Sequence, residues 1–237
     1  MKDSSDKTPG VLIPAFNEET AVGAVVKGAL KYAGRALVVD DGSSDRTGEA
    51  AAAAGAEVIR HPVNRGKGGA LRTGLRALAE RGSDPVIVLD GDGQHDPGGI
   101  PDFLAEARRS GAGIVVGNRM ASSSSMPRVR YWTNRVMSAV ISRLTGVEIP
   151  DTQCGYRLIT AGVIGKLSFS TSNYDTESEM LIEASRKGVG ISSVPVRTIY
   201  SGQVSRIRPG RDTVRFLRLV FRHLFTAETR RARRLRG

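Results

Sequence analysis

Apolar residues in the first half of the chain come in short runs. Each run is closed by polar or glycine-rich residues and followed by a stretch with helical spacing. Val11–Ile13 reads as a strand closed by Pro14, and residues 20–32 as a helix. Ala36–Val39 is a second strand, and the alanine-rich stretch to Ala54 a helix with Ser44 or Asp45 as its N-cap. Glu57–Arg60 reads as a third strand, and residues 61–66 as a loop leading into a helix over 67–81. Val86–Leu89 lies between Asp84-Pro85 and a glycine-rich exit, which predicts a buried strand rather than a helix. Ile100–Ser110 is helical and Gly113–Gly117 strand-like. Alternation at crossover-length spacing predicts an α/β fold, a mostly parallel sheet with helices on both faces.

The second half is less regular. Residues 121–127 hold four consecutive serines and read as a loop. Helices are predicted over 130–145 and 175–187, and strands over 156–159 and 191–196, with a polar loop at 148–155. No internal repeat is present, and the composition turns basic from about residue 201. This predicts one domain over 10–205 and a tail over 206–237. Within the tail, Val214, Leu217, Phe221, Leu224 and Phe225 share one helical arc, with Arg211, Arg215, Arg218 and Arg222 beside it. Such a helix suits a membrane interface, or packs on the domain with its arginines solvated.

Charge sharpens this division. The chain of 237 residues has a net charge of +11, and residues 206–237, with eleven arginines and two acids, hold +9 of it. A tail of that kind seeks a polyanion, either a membrane surface or nucleic acid. Hydrophobic content of 40% and charged content of 25% are ordinary for a soluble globular protein. The single Cys154 excludes an internal disulfide and fits a reducing compartment. The polar start MKDSSDKTPG does not read as a secretory leader. No apolar run approaches the roughly 20 residues that span a bilayer. A cytoplasmic protein without a membrane span is expected.

The candidate chemistry sits where strands end. Asp90-Gly91-Asp92-Gly93-Gln94 follows the fourth strand. Alternation along an extended chain puts Asp90 and Asp92 on one side, with the Gln94 amide nearby. These are hard oxygen ligands suited to Mg2+ or Mn2+, at the strand end where α/β sheets bind ligands. Taken alone, the same residues read equally as an Asp-Gly turn. Pro14–Glu18 and Asp40–Asp45 are two further polar strand ends, the second also readable as a helix-capping turn. Lys67, in Gly66-Lys67-Gly68-Gly69 at a helix start, is placed for phosphate, although the spacing is not that of a Walker A loop. Asp175, Glu177 and Glu179 read as acids at a helix start. His61, His95 and His223 are too scattered for a metal site, and His95 reads as support for the aspartate loop.

VLIPAFNEE, VVDDGSSD, NRGKGGALRTG, VLDGDGQHDP and VGNR, in that order, resemble the family 2 glycosyltransferases with the GT-A fold. IPDTQCGYRLI and GQVSRIRP are similar to the polyprenyl-phosphate hexosyltransferase branch, typified by dolichol-phosphate mannose synthases. The resemblance covers residues 10–210. It implies that Pro14, Phe16, Asn17 and Glu18 border the base and ribose of a nucleotide-sugar, with Asp40 and Asp41 on the base edge or ribose hydroxyls. Lys67, Asp90, Gly91 and Asp92 would face the donor diphosphate, and Asp90, Asp92 and Gln94 would hold Mg2+ or Mn2+. Arg119, Arg135 and Arg206 would hold the acceptor phosphate, and Arg130, close to them in sequence, joins that set. Asp92, Asp151 and Arg119 would be catalytic, with Asp151 and Arg157 in the loop that covers the acceptor. Some relatives carry an acid where this chain has Gly155, which leaves open which carboxylate is catalytic.

The implied reaction inverts the sugar. It moves a hexose from a GDP-mannose or UDP-glucose type donor to a polyprenyl (dolichyl or undecaprenyl) phosphate at the inner face of the cell membrane. The lipid would be met through the basic tail on an anionic membrane surface, the loop at 122–126, or a membrane-protein partner. Two other readings stand beside it. One keeps the fold and takes a soluble sugar or protein acceptor. The other is nucleic-acid binding by the arginine tail, which is not expected because no groove-reading motif is present.

Overall fold

The computed structural model of the chain describes residues 8–121, 126–167 and 176–199, together with 218 and 220. Seven strands form one sheet: β1 (Gly10–Ala15), β2 (Arg35–Asp40), β3 (Glu57–Arg60), β4 (Val86–Val88), β5 (Ile114–Asn118), β6 (Arg157–Ile159) and β7 (Ile191–Pro195). Their order across the sheet is β3-β2-β1-β4-β6-β5-β7. All pairs are parallel except those of β6, which runs antiparallel to β4 and β5. The helices are α1 (Val22–Ala29), α2 (Thr47–Ala53), α3 (Lys67–Glu80), α4 (Ile100–Ser110), α5 (Arg128–Thr145), α6 (Ala161–Ile164) and α7 (Thr176–Arg186).

The central strands read as unbroken apolar runs because both their faces are covered. Val11, Leu12, Ile13, Leu37, Val38 and Val39 are fully buried. From β1 the chain steps outward to β2 and β3, then returns past β1 to β4. Right-handed crossovers therefore set α1 and α2 on one face and α3 on the other. The expected mostly parallel sheet is present.

Four features differ from expectation. β1 runs through Pro14, which pairs with Val39 of β2. Gly10 donates its N–H to Pro85 on the β4 side. Pro14 has the same parity, and β4 pairing ends at Leu12, so its missing donor loses no ladder bond. α1 is shorter than predicted, and α6 was not anticipated. The most consequential difference is the direction of β6. Arg157, its first residue, sits opposite both Val88 and Val116 near the C-terminal ends of β4 and β5. The loop that precedes β6 is thereby delivered to the edge where the parallel strands end.

The chain divides into compact units Met1–Ser201 and Gly202–Gly237. In the second unit, Arg218 and Val220 are both helical. Arg206, the rest of the expected tail helix and residues 122–125 lie outside the described residues. No helix among the described residues is long and apolar enough to cross a membrane.

Candidate active site

The aspartate segment leaves β4 against the end of β1. A Cβ on Gly91 would stand 3.1 Å from that of Ala15, a tight contact that glycine avoids. Asp90 Oδ1 meets Lys67 Nζ at 2.6 Å, and the same ammonium meets Glu177 Oε1 at 2.8 Å. Lys67 is the first residue of α3 and Glu177 lies in the first turn of α7. One cation thus joins two carboxylates from different elements. Burial opposes the Lys67 charge, but Asp90 and Glu177 outweigh it and hold the ammonium well above its usual range. Burial would likewise raise Asp90, but the Lys67 charge prevails and keeps its carboxyl low.

Asp92 behaves in the opposite way. Burial raises its carboxyl and the neighbouring Asp90 charge raises it further, against a smaller pull from Lys67 and Arg130. Its Oδ1 accepts the Gln94 N–H at 3.0 Å. Gln94 in turn accepts the Ile199 N–H at 2.9 Å through its own carbonyl. The backbone of Gln94 therefore holds the loop, and its side chain is half-buried. His95 Nε2 stands 4.0 Å from Asp90 Oδ2, and its ring lies against Tyr156 with centroids 5.5 Å apart. Burial lowers His95 to about 4, against the pull of Asp90, so the ring is neutral at pH 7. His95 supports the aspartate loop, as its sequence position suggested.

The first two strand ends are stitched to each other. Asn17 has a left-handed backbone, φ 54°. Its N–H donates to Ser43 Oγ at 2.9 Å and its Oδ1 accepts the Ser44 N–H at 2.9 Å. Glu18 N–H donates to Thr47 Oγ1 at 2.8 Å. Asp45 Oδ1 accepts the Thr47 N–H at 3.0 Å and so caps α2 from one residue before the helix boundary. Asp40 and Asp41 are buried. Asp40 Oδ1 accepts the Ser43 N–H at 2.9 Å, while its Oδ2 faces Arg60 Nε at 3.6 Å. Asp41 Oδ1 accepts the Arg65 N–H at 2.9 Å and meets His61 Nδ1 at 2.7 Å. In these contacts Pro14–Glu18, Asp40 and Asp41 shape the walls. Beside them a cleft of about 280 Å3 is lined by Gly42, Ser43, Arg60, His61 and Pro62.

Arg119 and Asp151, given separate roles from sequence, meet each other. Arg119 Nε donates to Asp151 Oδ2 at 2.7 Å and Nη2 to Oδ1 at 2.9 Å, with both residues buried. Asp151 also accepts the N–H groups of Arg119 and Gln153, each at 3.2 Å. A carboxylate so occupied is poorly placed to take a proton from a substrate. Arg157 is equally committed. It donates to the carbonyls of Cys154, Glu177 and Thr152 at 2.8–2.9 Å and clamps the loop before β6 onto α7. A Cβ on Gly155 would meet Asp90 Oδ2 at 2.3 Å. A side chain at that position would push the Asp90 carboxylate from its place against Lys67.

Of the expected acceptor cations on α5, Arg130 is the one whose charge acts on Asp92. It is half-buried in the first turn of α5. The Arg119 charge acts on Asp90. Arg135 is exposed further along α5 and donates to Tyr131 Oη at 3.3 Å. Sequence reading passed over Glu177 as anything but a helix-start acid. The missed signal is its company, since Thr176–Ile182 is buried throughout.

Among the described residues, no group of three or more His, Cys, Asp or Glu side chains is placed to hold a metal ion. Asp90 and Asp92 supply two carboxylates, one raised by the other. That donor set fits a divalent ion that completes its shell with phosphate oxygens and water.

The chain resembles several known proteins. The model of glycosyl transferase family 2 matches residues 10–167. The UDP-N-acetylglucosamine–dolichyl-phosphate N-acetylglucosaminyltransferase of Methanococcus voltae is 30% identical over 220 residues, which is 83% of this chain and 88% of that one. The undecaprenyl-phosphate mannosyltransferase of Micrococcus luteus is 30% identical over 201 residues, 78% and 81% of the two chains. The glucosyl-3-phosphoglycerate synthase of Mycobacterium tuberculosis, solved with Mn2+, uridine diphosphate and glucosyl-3-phosphoglycerate, aligns at a TM-score of 0.68 and 23% identity. That alignment covers 93% of this chain and 80% of the other, and is a likeness of fold.

Proposed function

The chain belongs to glycosyl transferase family 2, and from that premise we propose that it moves one hexose from a nucleotide-sugar to a polyprenyl phosphate, with inversion, at the inner face of the cell membrane. The observation that carries this reading is the Asp90–Lys67–Glu177 group with Asp92 beside it, at the edge where the parallel strands end. Both relatives named above are described as acting on a polyprenyl phosphate, one dolichyl and one undecaprenyl. Their sugars differ, so the donor is proposed only as a UDP- or GDP-sugar of the glucose or mannose type.

An acceptor phosphate oxygen forms the new bond to the anomeric carbon. The bond from that carbon to the donor diphosphate breaks, and its electron pair leaves with the nucleoside diphosphate. A phosphate monoester, with a second pKa of about 6, is already largely ionised at neutral pH. No general base is then required, which agrees with an Asp151 already filled by Arg119. Mg2+ or Mn2+ held by Asp90 and Asp92 would supply Lewis-acid stabilisation of the charge on the leaving diphosphate. Lys67 has two carboxylate partners. It can release Asp90, keep Glu177 and offer its remaining hydrogens to diphosphate oxygens at the start of α3. Arg130, and Arg135 five residues on, supply cations for the acceptor phosphate.

The test is transfer from labelled UDP-glucose, UDP-N-acetylglucosamine and GDP-mannose to a short-chain polyprenyl phosphate in detergent with Mn2+. One of these donors should give a monoglycosylated lipid phosphate. Transfer only to soluble sugars or peptides, with none to the lipid phosphate under any donor, would overturn the acceptor assignment.

A further inference from the structure

α5 turns an apolar stripe outward as well as burying Ile141. Its buried residues are Asn134, Ser138 and Ile141, so two of the three are polar. Its outer side carries Val129, Trp132 and Val136, exposed by 78%, 61% and 60%. At about 100° per residue these three fall within roughly 60° of arc, a single stripe along the helix. A surface helix ordinarily turns its apolar stripe to the core. Here the inner side is held by hydrogen bonds instead, with Ser138 Oγ accepting the Thr152 N–H at 2.9 Å.

The charges around the stripe are of one sign. α5 carries Arg128, Arg130, Arg135 and Arg143 and no acid. Trp132 stands edge-on to Tyr131, with ring centroids 5.6 Å apart, and Tyr131 Oη accepts from Arg135. An exposed Trp132 beside a half-buried Tyr131, flanked by arginines on a helix whose outer stripe is apolar, is the composition of an interfacial helix on an anionic bilayer.

We propose that the outer face of α5, centred on Trp132, docks the enzyme on an anionic lipid surface. This rests on the proposed lipid acceptor and places the docking face on the catalytic unit itself rather than on the basic tail. Arg130, off this stripe on the same helix, lies close enough for its charge to act on Asp92. Seating α5 on lipid therefore holds the aspartate edge beside the head groups, where an acceptor phosphate is found.

Trp132 is the only tryptophan in the chain, so the unmodified protein reports on the contact. Vesicles of phosphatidylcholine with phosphatidylglycerol should blue-shift its emission, and brominated acyl chains should quench it. Vesicles of phosphatidylcholine alone should do so at least tenfold more weakly. Vesicle binding with unchanged emission would overturn the proposal in favour of the tail, and absence of binding would overturn it outright. A blue shift that follows protein concentration without lipid would overturn it in favour of a second copy of the chain. Trp132→Ser combined with Val136→Ser should lose vesicle binding at least tenfold and keep its turnover of a short-chain acceptor in detergent. If no polyprenyl phosphate is ever glycosylated while Trp132 still enters the bilayer, the acceptor assignment fails and the docking face stands.

Discussion

Two ion-pair clusters stand at the same edge of the sheet and are built in opposite ways. Arg119 and Asp151 meet through two short contacts, both side chains buried, and backbone N–H groups occupy what remains of the carboxylate. Around Asp90 the supply is uneven. Lys67 is divided between Asp90 and Glu177, and Glu177 Oε2 is buried without a hydrogen-bond partner. Asp92 sits there with its carboxyl raised. With its carboxylate filled, Asp151 acts as a strut, while the Arg119 guanidinium has more hydrogens than the two it gives to that carboxylate. An acid-rich group short of cations is completed when a cation and a diphosphate arrive. The strut is also the drier of the two, with side-chain exposures of 6% and 0% against 20% and 24% for Lys67 and Asp90, so burial and the count of partners together separate scaffold from site.

The comparison breaks first at Asp92. Asp92→Asn is expected to lower transfer by about 10²–10³-fold, the scale of losing one electrostatic contact to a developing charge. Its melting temperature should stay close to wild type, as read by circular dichroism. A variant that melts early but transfers normally per folded molecule would make Asp92 a strut as well.

Asp151→Ala tests the other side. It strands the Arg119 charge in a buried place and should cost about 3–5 kcal/mol in urea unfolding. Arg119→Met with Asp151→Leu should recover most of that loss, because a buried pair replaced by apolar groups is often nearly neutral. An unstable double variant would show that the pair does more than hold the loop.

Lys67→Met sharpens the picture with a smaller effect. Losing one charge-assisted contact, about 1.5–3 kcal/mol, should weaken nucleoside diphosphate binding at least tenfold in calorimetry. Binding of Mn2+ alone should strengthen, because Asp90 loses its resident competitor. Weaker binding of both would mean that Lys67 only keeps the pocket in shape.

The least dramatic test lies beside the strut. Burial pushes the Cys154 thiol up to about 12 from 9.0. Iodoacetamide at pH 8 should therefore leave the folded protein unlabelled and label it in urea. The same shift contributes stability that is present below pH 9.0 and lost as the pH climbs toward 12, since the unfolded thiol ionises first.

Much of this was legible in the chain, and the remainder was not for physical reasons. Apolar runs and helical spacing located every strand, because a covered parallel sheet writes itself as unbroken runs. They carry no strand direction, so β6 gave no sign of running antiparallel. The aspartate segment was readable because its residues are consecutive. The Arg119–Asp151 and Lys67–Glu177 pairs were not, since their partners lie 32 and 110 residues apart and only the fold joins them. The apolar stripe of α5 was visible as letters, but which side faces outward depends on the loop at Thr152 that its serines bind.

The account turns on whether the acids that end β4 take a divalent cation together with a nucleoside diphosphate. Mn2+ binding read by electron paramagnetic resonance, with and without UDP or GDP, tests this on wild type and on Asp90→Asn with Asp92→Asn. In wild type one nucleotide should tighten Mn2+ binding at least tenfold, and the double variant should show neither the tight binding nor the gain. Equal Mn2+ binding by the two proteins, with the same response to nucleotide, would contradict it.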